Sequence, residues 1–304
     1  MTKYLSNLDP FMIGSHCIGL KKSPLFLPDI GTFFNQDIDI AIKMLDSLKK
    51  SKIKIIKGEI LHSPDVCLTG ESSENYLSTD GTTTIQENYR QLIERKVVSL
   101  NDYSKIFEYC RQQKIEFVVS VYDDEGVAFA IEQKAVALKA SSSNITHHPL
   151  LATMAKAQLP IIIDTGHSTI YEALRAVNWV RELGENRIIV QHSPPAPPRG
   201  VDEHNLNMML SLSAACNTFF GLSDHHKGTE MLIAATSMGA QIIEKGVHPA
   251  GLENEQDLMH AMSLSQVKSI NESIQNVFNA MGNGEDRDLS NKPPYKSRMC
   301  LVAK

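Results

Sequence analysis

The sequence predicts an α/β protein built as a single (β/α)8 TIM barrel with a short N-terminal extension and a polar C-terminal tail. Three observations carry the prediction. Short, nearly continuous apolar runs alternate with segments of helical period along most of the chain. The runs lack polar alternation, the pattern of strands covered on both faces in a parallel sheet. Eight strand–helix units close most simply into a barrel of roughly 250 residues, which a chain of 304 residues accommodates with extensions. An open doubly wound sheet is the competing topology.

Residues 1–24 read as the extension, 25–282 as the barrel and 283–304 as the tail. The first strand is Leu25–Ile30, and Ile38, Ile42, Leu45 and Leu48 share one face of a helix over Asp37–Lys50. Ile53–Lys57 is the second strand. Residues 60–85, rich in Ser, Thr, Gly and Asp, read as a long loop. Helices near 86–95 and 102–113 lead to the third strand, Ile115–Ser120. Strands four to eight are Ala135–Lys139, Pro160–Asp164, Arg187–Gln191, Thr218–Leu222 and Gln241–Lys245. Helices fall near 126–133, 147–157, 168–183, 204–214, 228–238 and 264–281. The turn-rich run Asn283–Pro294 belongs outside the barrel.

Composition narrows the function classes. Hydrophobic residues at 42% and charged residues at 21% are globular values, not those of a disordered chain. Thirty Lys and Arg against thirty-five Asp and Glu leave a net charge of −5, with no basic footprint for nucleic acid. No apolar run reaches the ~18–20 residues of a membrane span. The start, Met1–Asn7, has no apolar segment of the kind a secretory signal needs. Cys17, Cys67, Cys110, Cys216 and Cys300 are odd in number and widely spaced, which reads as reduced thiols in a cytoplasmic protein.

In such a barrel the chemistry lies at the carboxyl ends of the strands. Polar residues gather there, in Asp29-Ile-Gly31, Lys57-Gly-Glu59, Ser120–Asp123, Lys139–Asn144, Asp164–Ser168, His192-Ser193, Ser223–His226 and Glu244-Lys245. Lys57 and Lys139, read as ending neighbouring strands, would with the hydroxyls of Ser120, Ser142 and Thr165 form a pocket for phosphate and carboxylate. The competing assignment pairs each lysine with Glu59, Asp164 or Glu244. The Asp164–Thr169 segment adds a glycine turn and a helix start whose backbone N–H groups accept anions. His192 and His225 end adjacent strands, where two neutral imidazoles can share a divalent cation; hydrogen-bonded structural histidines are the alternative. Asp224 either orients a histidine or caps a helix. His226 points elsewhere, while His167, His248 and His260 are within possible reach of the mouth.

These strand ends, in this order, resemble the sialic acid synthase family, which condenses phosphoenolpyruvate with N-acylated sugars. The strongest stretch is Gly221-Leu-Ser-Asp-His-His-Lys-Gly-Thr-Glu230 with Met238-Gly-Ala-Gln-Ile-Ile-Glu-Lys245, similar to the family's G-Y-S-D-H-T-x-G and G-A-x-x-I-E-K-H. Ile188-Ile-Val-Gln-His192 with Asn205-Leu206 is similar to I-L-L-H-C and its downstream N-L. Thr165-Gly166 with Ser168-Thr169 matches S-T-G-M-S-T, Ile30-Gly31 resembles E-I-G, and Ile56-Lys57 sits where the family has V-K-F-Q. The resemblance implies manganese or magnesium on His192 and His225. It implies phosphoenolpyruvate on Lys57, Ser120, Lys139, Ser142, Thr165 and Gly166, with Asp29, Lys139 and His225 catalytic. It also implies a sugar-like aldehyde as acceptor, a nonulosonic-acid-type 2-keto acid and phosphate as products, and a homodimer. Departures from the family pattern are Asp29 for Glu, Phe33-Phe34 for Asn-His, Asn144 near a Glu position, Asp164 for Ser and Gly246 for His. Arg298–Ala303 resembles the segment leading into the family's C-terminal antifreeze-like domain. A metal-dependent aldolase or lyase on a keto acid, suggested by Asp164 and Glu59, and a non-catalytic paralogue acting as a binding or scaffold subunit are the alternatives.

Overall fold

The computed structural model describes residues 5–67, 72–78, 82–195, 200–253 and 255–282. Eight parallel strands form the barrel: β1 Leu25–Asp29, β2 Ile55–Glu59, β3 Glu116–Val121, β4 Ala137–Ala140, β5 Ile161–Asp164, β6 Ile188–His192, β7 Phe219–Asp224 and β8 Ile242–His248. Each strand pairs with the next, and β8 pairs with β1 through Ile242↔Leu25 to Gly246↔Asp29, so the sheet closes without an edge. Closure excludes the open doubly wound alternative. Almost every strand residue is buried, because the inner face fills the barrel and the outer face meets helices.

Helices α1 Ile38–Lys50, α2 Leu100–Gln113, α3 Asp124–Glu132, α4 His148–Lys156, α5 Ile170–Glu182, α6 Met208–Cys216, α7 Glu230–Met238 and α8 Val267–Met281 surround the strands. Their starts are set locally. The Asp37 carboxylate accepts from the N–H groups of Asp39 and Ile40, and Thr169 forms a capping box with Glu172. Buried Ala173, Ala176, Val177 and Val180 recur at helical spacing on the inner face of α5. Among the described residues no helix is long and apolar enough to cross a membrane, and the described cysteines are free.

Two regions carry structure that the sequence reading did not predict. The extension folds into a hairpin, Phe11–Ile13 with His16–Ile18, at the amino end of the barrel. Ile13 and Ile18 are buried there, Phe11 packs against Phe219 with ring centroids 6.0 Å apart, and Ser15 bonds the Glu116 carboxylate at the base of β3. The segment after β2, expected to be a loop, carries a turn at Pro64–Val66 and a hairpin of Ser73–Leu77 with Thr84–Asn88. A short helix, Tyr89–Glu94, follows. This excursion has its own apolar cluster of Leu61, Tyr76, Leu92 and Ile93, separate from the barrel core. It is tied down over the mouth by a buried Lys96–Glu255 ion pair and by the Gln36 amide donating to the Val97 carbonyl at 2.6 Å. The tail, Cys300 and Arg298–Ala303 lie outside the described residues.

Candidate active site

A cavity of about 1140 Å³ opens at the carboxyl ends of the strands, with Asp29, Lys57, Ser120, Lys139, Asp164 and Glu244 among the groups at its base. The barrel geometry explains why these residues meet. In a closed eight-stranded barrel the inward side chains stack in layers, each contributed by alternate strands. Lys57 on β2, Lys139 on β4, Gln191 on β6 and Glu244 on β8 form such a layer. Lys57 and Lys139 therefore do not end neighbouring strands, as the sequence suggested. They face each other across β3, with Glu244 between them.

The charges are tightly interlocked. The Lys57 ammonium lies 2.6 Å from Asp29, 3.5 Å from Glu59 and 3.6 Å from Glu244. The Lys139 ammonium lies 2.7 Å from Glu244 and 2.8 Å from Asp164. Each lysine thus takes the carboxylate partners of the competing assignment. Burial disfavours the Lys57 charge, yet Asp29, Glu244 and Glu59 outweigh it and hold the ammonium well above its ordinary pKa. Lys139 is raised in the same way by Asp164 and Glu244 against burial. Burial likewise opposes the Glu244 charge, but the two lysines overcome it and keep this carboxylate far below its ordinary range. Asp29 goes the other way: burial, only partly offset by Lys57, raises it to about 6.

The mouth is lined by hydroxyls and imidazoles. Ser141, Ser142, Ser143, Asn144 and His147 come from the β4 loop, Ser193 directly follows β6, His225 directly follows β7 and His260 comes from the β8 loop. The Ser193 hydroxyl lies 3.2 Å from His225 Nδ1, and the His225 and His260 rings are 6.3 Å apart. Burial lowers His225, so the ring favours its neutral form. Leu61, Val66, Tyr89, Ile93 and Tyr122 make the facing wall apolar, and the Tyr122 hydroxyl donates to Glu59 at 2.9 Å.

Of the residues singled out in the sequence, Asp29, Lys57, Ser120, Lys139, Ser142 and His225 line this cavity, whereas His192, Thr165 and Gly166 do not. His192 follows inward-facing Gln191 on β6, and the pleat turns successive side chains to opposite faces. It points out of the barrel, where Nε2 meets the His204 carbonyl at 2.7 Å. The Thr165 hydroxyl donates to the Gln191 carbonyl, and the Gly166 N–H is taken by Asp164 Oδ1 at 3.1 Å. That turn is closed by its own carboxylate. Gly166 is nevertheless constrained, since a Cβ there would lie 3.2 Å from Ser142 Oγ and 3.3 Å from Ser193 Oγ. Asp224 is neither a histidine partner nor free: it pairs with Lys245 at 2.8 Å and accepts from the His226 N–H.

The divalent cation expected on His192 and His225 does not fit this donor set. One imidazole faces away and is engaged by a backbone carbonyl, and among the described residues no three His, Cys, Asp or Glu side chains gather to hold an ion. Gln191 was missed in sequence, and Glu244 was read only as a candidate partner of the lysines. The signal that finds them is layer membership: counting back from each strand end places them level with the two lysines.

A closed (β/α)8 barrel with a cluster of buried lysines and carboxylates at its carboxyl face defines a TIM-barrel protein whose candidate active site lies at that face. The chain belongs to the NeuB family, whose model matches residues 40–286. It is 26% identical over 264 residues to the pseudaminic acid synthase of Helicobacter pylori, covering 87% of this chain and 77% of that protein. It is 27% identical over 291 residues to the N,N'-diacetyllegionaminic acid synthase of Campylobacter jejuni, covering 93% and 85%. Its fold superposes on the crystal structure of an N-acetylneuraminic acid synthetase from Leptospira borgpetersenii with a TM-score of 0.79 at 19% identity, covering 96% of this chain and 97% of that one.

Proposed function

We propose that this chain is a carbon–carbon bond-forming synthase that condenses phosphoenolpyruvate with a sugar-like aldehyde to give a nonulosonic-acid-type 2-keto acid and phosphate. Family membership and the names of its relatives support the reaction class. The single observation that carries the reading in this chain is the pair of buried ammonium groups, Lys57 and Lys139, facing one cavity. Two fixed cations a strand apart suit a small molecule with a carboxylate at one end and a phosphate at the other. The hydroxyls of Ser120, Ser142 and Ser143 add neutral donors around them.

In this reading C3 of the enol attacks the aldehyde carbon, water adds at C2, and phosphate leaves from the tetrahedral intermediate. Asp29, raised to about 6, takes up a proton more readily than an ordinary carboxyl and can pass it to the new alkoxide. Neutral His225 at the mouth orients the acceptor. The reading includes a cytoplasmic location and a homodimer. No step is assigned to a metal ion, because the two histidines expected to hold one face apart. The test is phosphate release from phosphoenolpyruvate with a panel of aldoses. Aldehyde-dependent release is expected, and none across a broad panel overturns the reading.

A specific observation favours a second reading, an aldolase or lyase acting on a keto acid. Asp29, Glu59, Asp164 and Glu244 surround only two lysines, so the basin carries more negative than positive charge before a trianionic donor arrives. Pyruvate formation or consumption without phosphate chemistry selects this reading.

A further inference from the structure

Asp224, the last residue of β7, stands opposite Lys245 of β8 in the parallel ladder. Both side chains are completely buried, at 0% exposure, and their charged atoms lie 2.8 Å apart. Glu244 faces into the barrel, so the pleat turns Lys245 away from it, toward the layer of helices. With no exposed surface, neither group can touch a molecule in the cavity. Such a pair is a poor stabiliser in itself. Stripping water from two charges costs about as much as their attraction returns, and an apolar pair of similar size often packs as well or better.

What an apolar pair cannot do is hold a backbone, and here both charges do so. Asp224 Oδ1 accepts from the His226 N–H at 2.9 Å. The Lys245 ammonium donates to the His226 carbonyl as well as to Asp224 Oδ2. The His226 ring takes no part, since its Nε2 meets Glu230 at 2.8 Å. The residue fixed by this grip is the one before it. A peptide unit is planar, so holding the His226 N–H also holds the plane that joins it to His225. The plane on the other side of His225 belongs to Asp224, which the ladder anchors. With both planes set, the Cα–Cβ direction of His225 is set. Its ring lines the cavity, with Nδ1 3.2 Å from Ser193 Oγ.

We infer that Asp224 and Lys245 are positioning residues: through the His226 backbone they aim the His225 imidazole into the cavity, where it orients the aldehyde acceptor. The part about the acceptor rests on the synthase reading; the part about what holds His225 does not. Asp224 bonds no imidazole and acts only through the main chain. The pair thereby couples β8 to the loop after β7, and the direction of one ring at the mouth depends on two charges that lie outside the cavity wall.

Either single variant leaves a buried charge unpaired and risks unfolding. The double variant Asp224→Leu/Lys245→Met removes both charges at similar volume and should fold. We expect kcat/KM for the aldehyde to fall by about tenfold to a hundredfold, with the KM for phosphoenolpyruvate unchanged, because Lys57 and Lys139 keep their partners. A general loosening of the barrel would move both, and that result overturns the inference. Placed in a His225→Asn background, the double variant should cost nothing further, since there is no imidazole left to aim; additive losses overturn the inference. A crystal structure of the double variant supplies a readout independent of turnover. A His225 ring shifted away from Ser193 supports the positioning role, and an unmoved ring overturns it whatever the kinetics. If the apolar double variant does not fold, Asp224→Asn/Lys245→Met, which keeps an acceptor for the His226 N–H, is put through the same measurements with a smaller loss expected. A parent that releases no phosphate with any aldehyde overturns the synthase reading and the acceptor role with it, while the crystal structures still decide whether the pair holds His225.

Discussion

Asp29 and Glu244 both lie within 4 Å of the Lys57 ammonium, at 2.6 and 3.6 Å, and are pushed in opposite directions. Glu244 sees two lysines; Asp29 sees one, together with the charges of Glu244 and Glu59. The two carboxyls therefore pull stability in opposite pH windows. Asp29 binds its proton more tightly folded than unfolded, so its contribution is complete below its ordinary pKa of 3.8 and is lost as pH rises through about 6. Glu244 contributes above the ordinary Glu value and loses that contribution as pH falls. Chemical denaturation of Asp29→Asn across this range should show the decline in stability between about pH 4 and 6 flattened relative to the parent. The lysines were legible in the sequence because a charged residue ending an apolar strand stands out. Gln191 was not, because an amide beside a histidine draws the eye to the histidine, and a one-residue difference in register exchanges which of them faces inward.

At the scale of the element, strand glycines mark close approaches that periodicity does not reveal. A Cβ on Gly221 in β7 would lie 2.7 Å from the Ile242 carbonyl oxygen, a backbone atom of β8 that cannot swing aside. Gly221→Ala should destabilise the barrel by about 1–3 kcal/mol, read as a lower urea midpoint. The Lys96–Glu255 pair, with both side chains 6% exposed, joins the β2 excursion to the β8 loop. Lys96→Met leaves an uncompensated buried carboxylate and should cost about 3–5 kcal/mol, whereas adding Glu255→Leu should recover most of it. Thermal unfolding of the single and double variants checks this. The excursion's hairpin was read as a loop because Ser73–Leu77 and Thr84–Asn88 are short, polar and half-exposed. Their stabilising partners come from Tyr89, Ile93 and Tyr122, distant from one strand or both in sequence.

For the whole molecule, closure of the sheet was legible because eight apolar runs separated by helices leave few other solutions. The contents of the basin were only partly so, since ion pairing across the barrel joins residues as far apart as Lys57 and Glu244. The summed charge has a consequence for binding. An anionic donor entering a basin with more carboxylates than lysines binds better once Asp29 is neutral. Under the proposed synthase reading, the KM for phosphoenolpyruvate should therefore be lower near about pH 5.5 than near about pH 8, and Asp29→Asn should remove most of that difference in steady-state assays.

The small apolar cluster of Leu61, Tyr76, Leu92 and Ile93 is physically separate from the barrel core, and that independence sets a hierarchy of opening. Amide hydrogen exchange should divide the chain into two cooperative units. Residues 72–78 and 84–94 should exchange at a low opening free energy, and β3 to β8 only near the global unfolding limit. Such a split would let the excursion loosen while the charged layer beneath it keeps its arrangement.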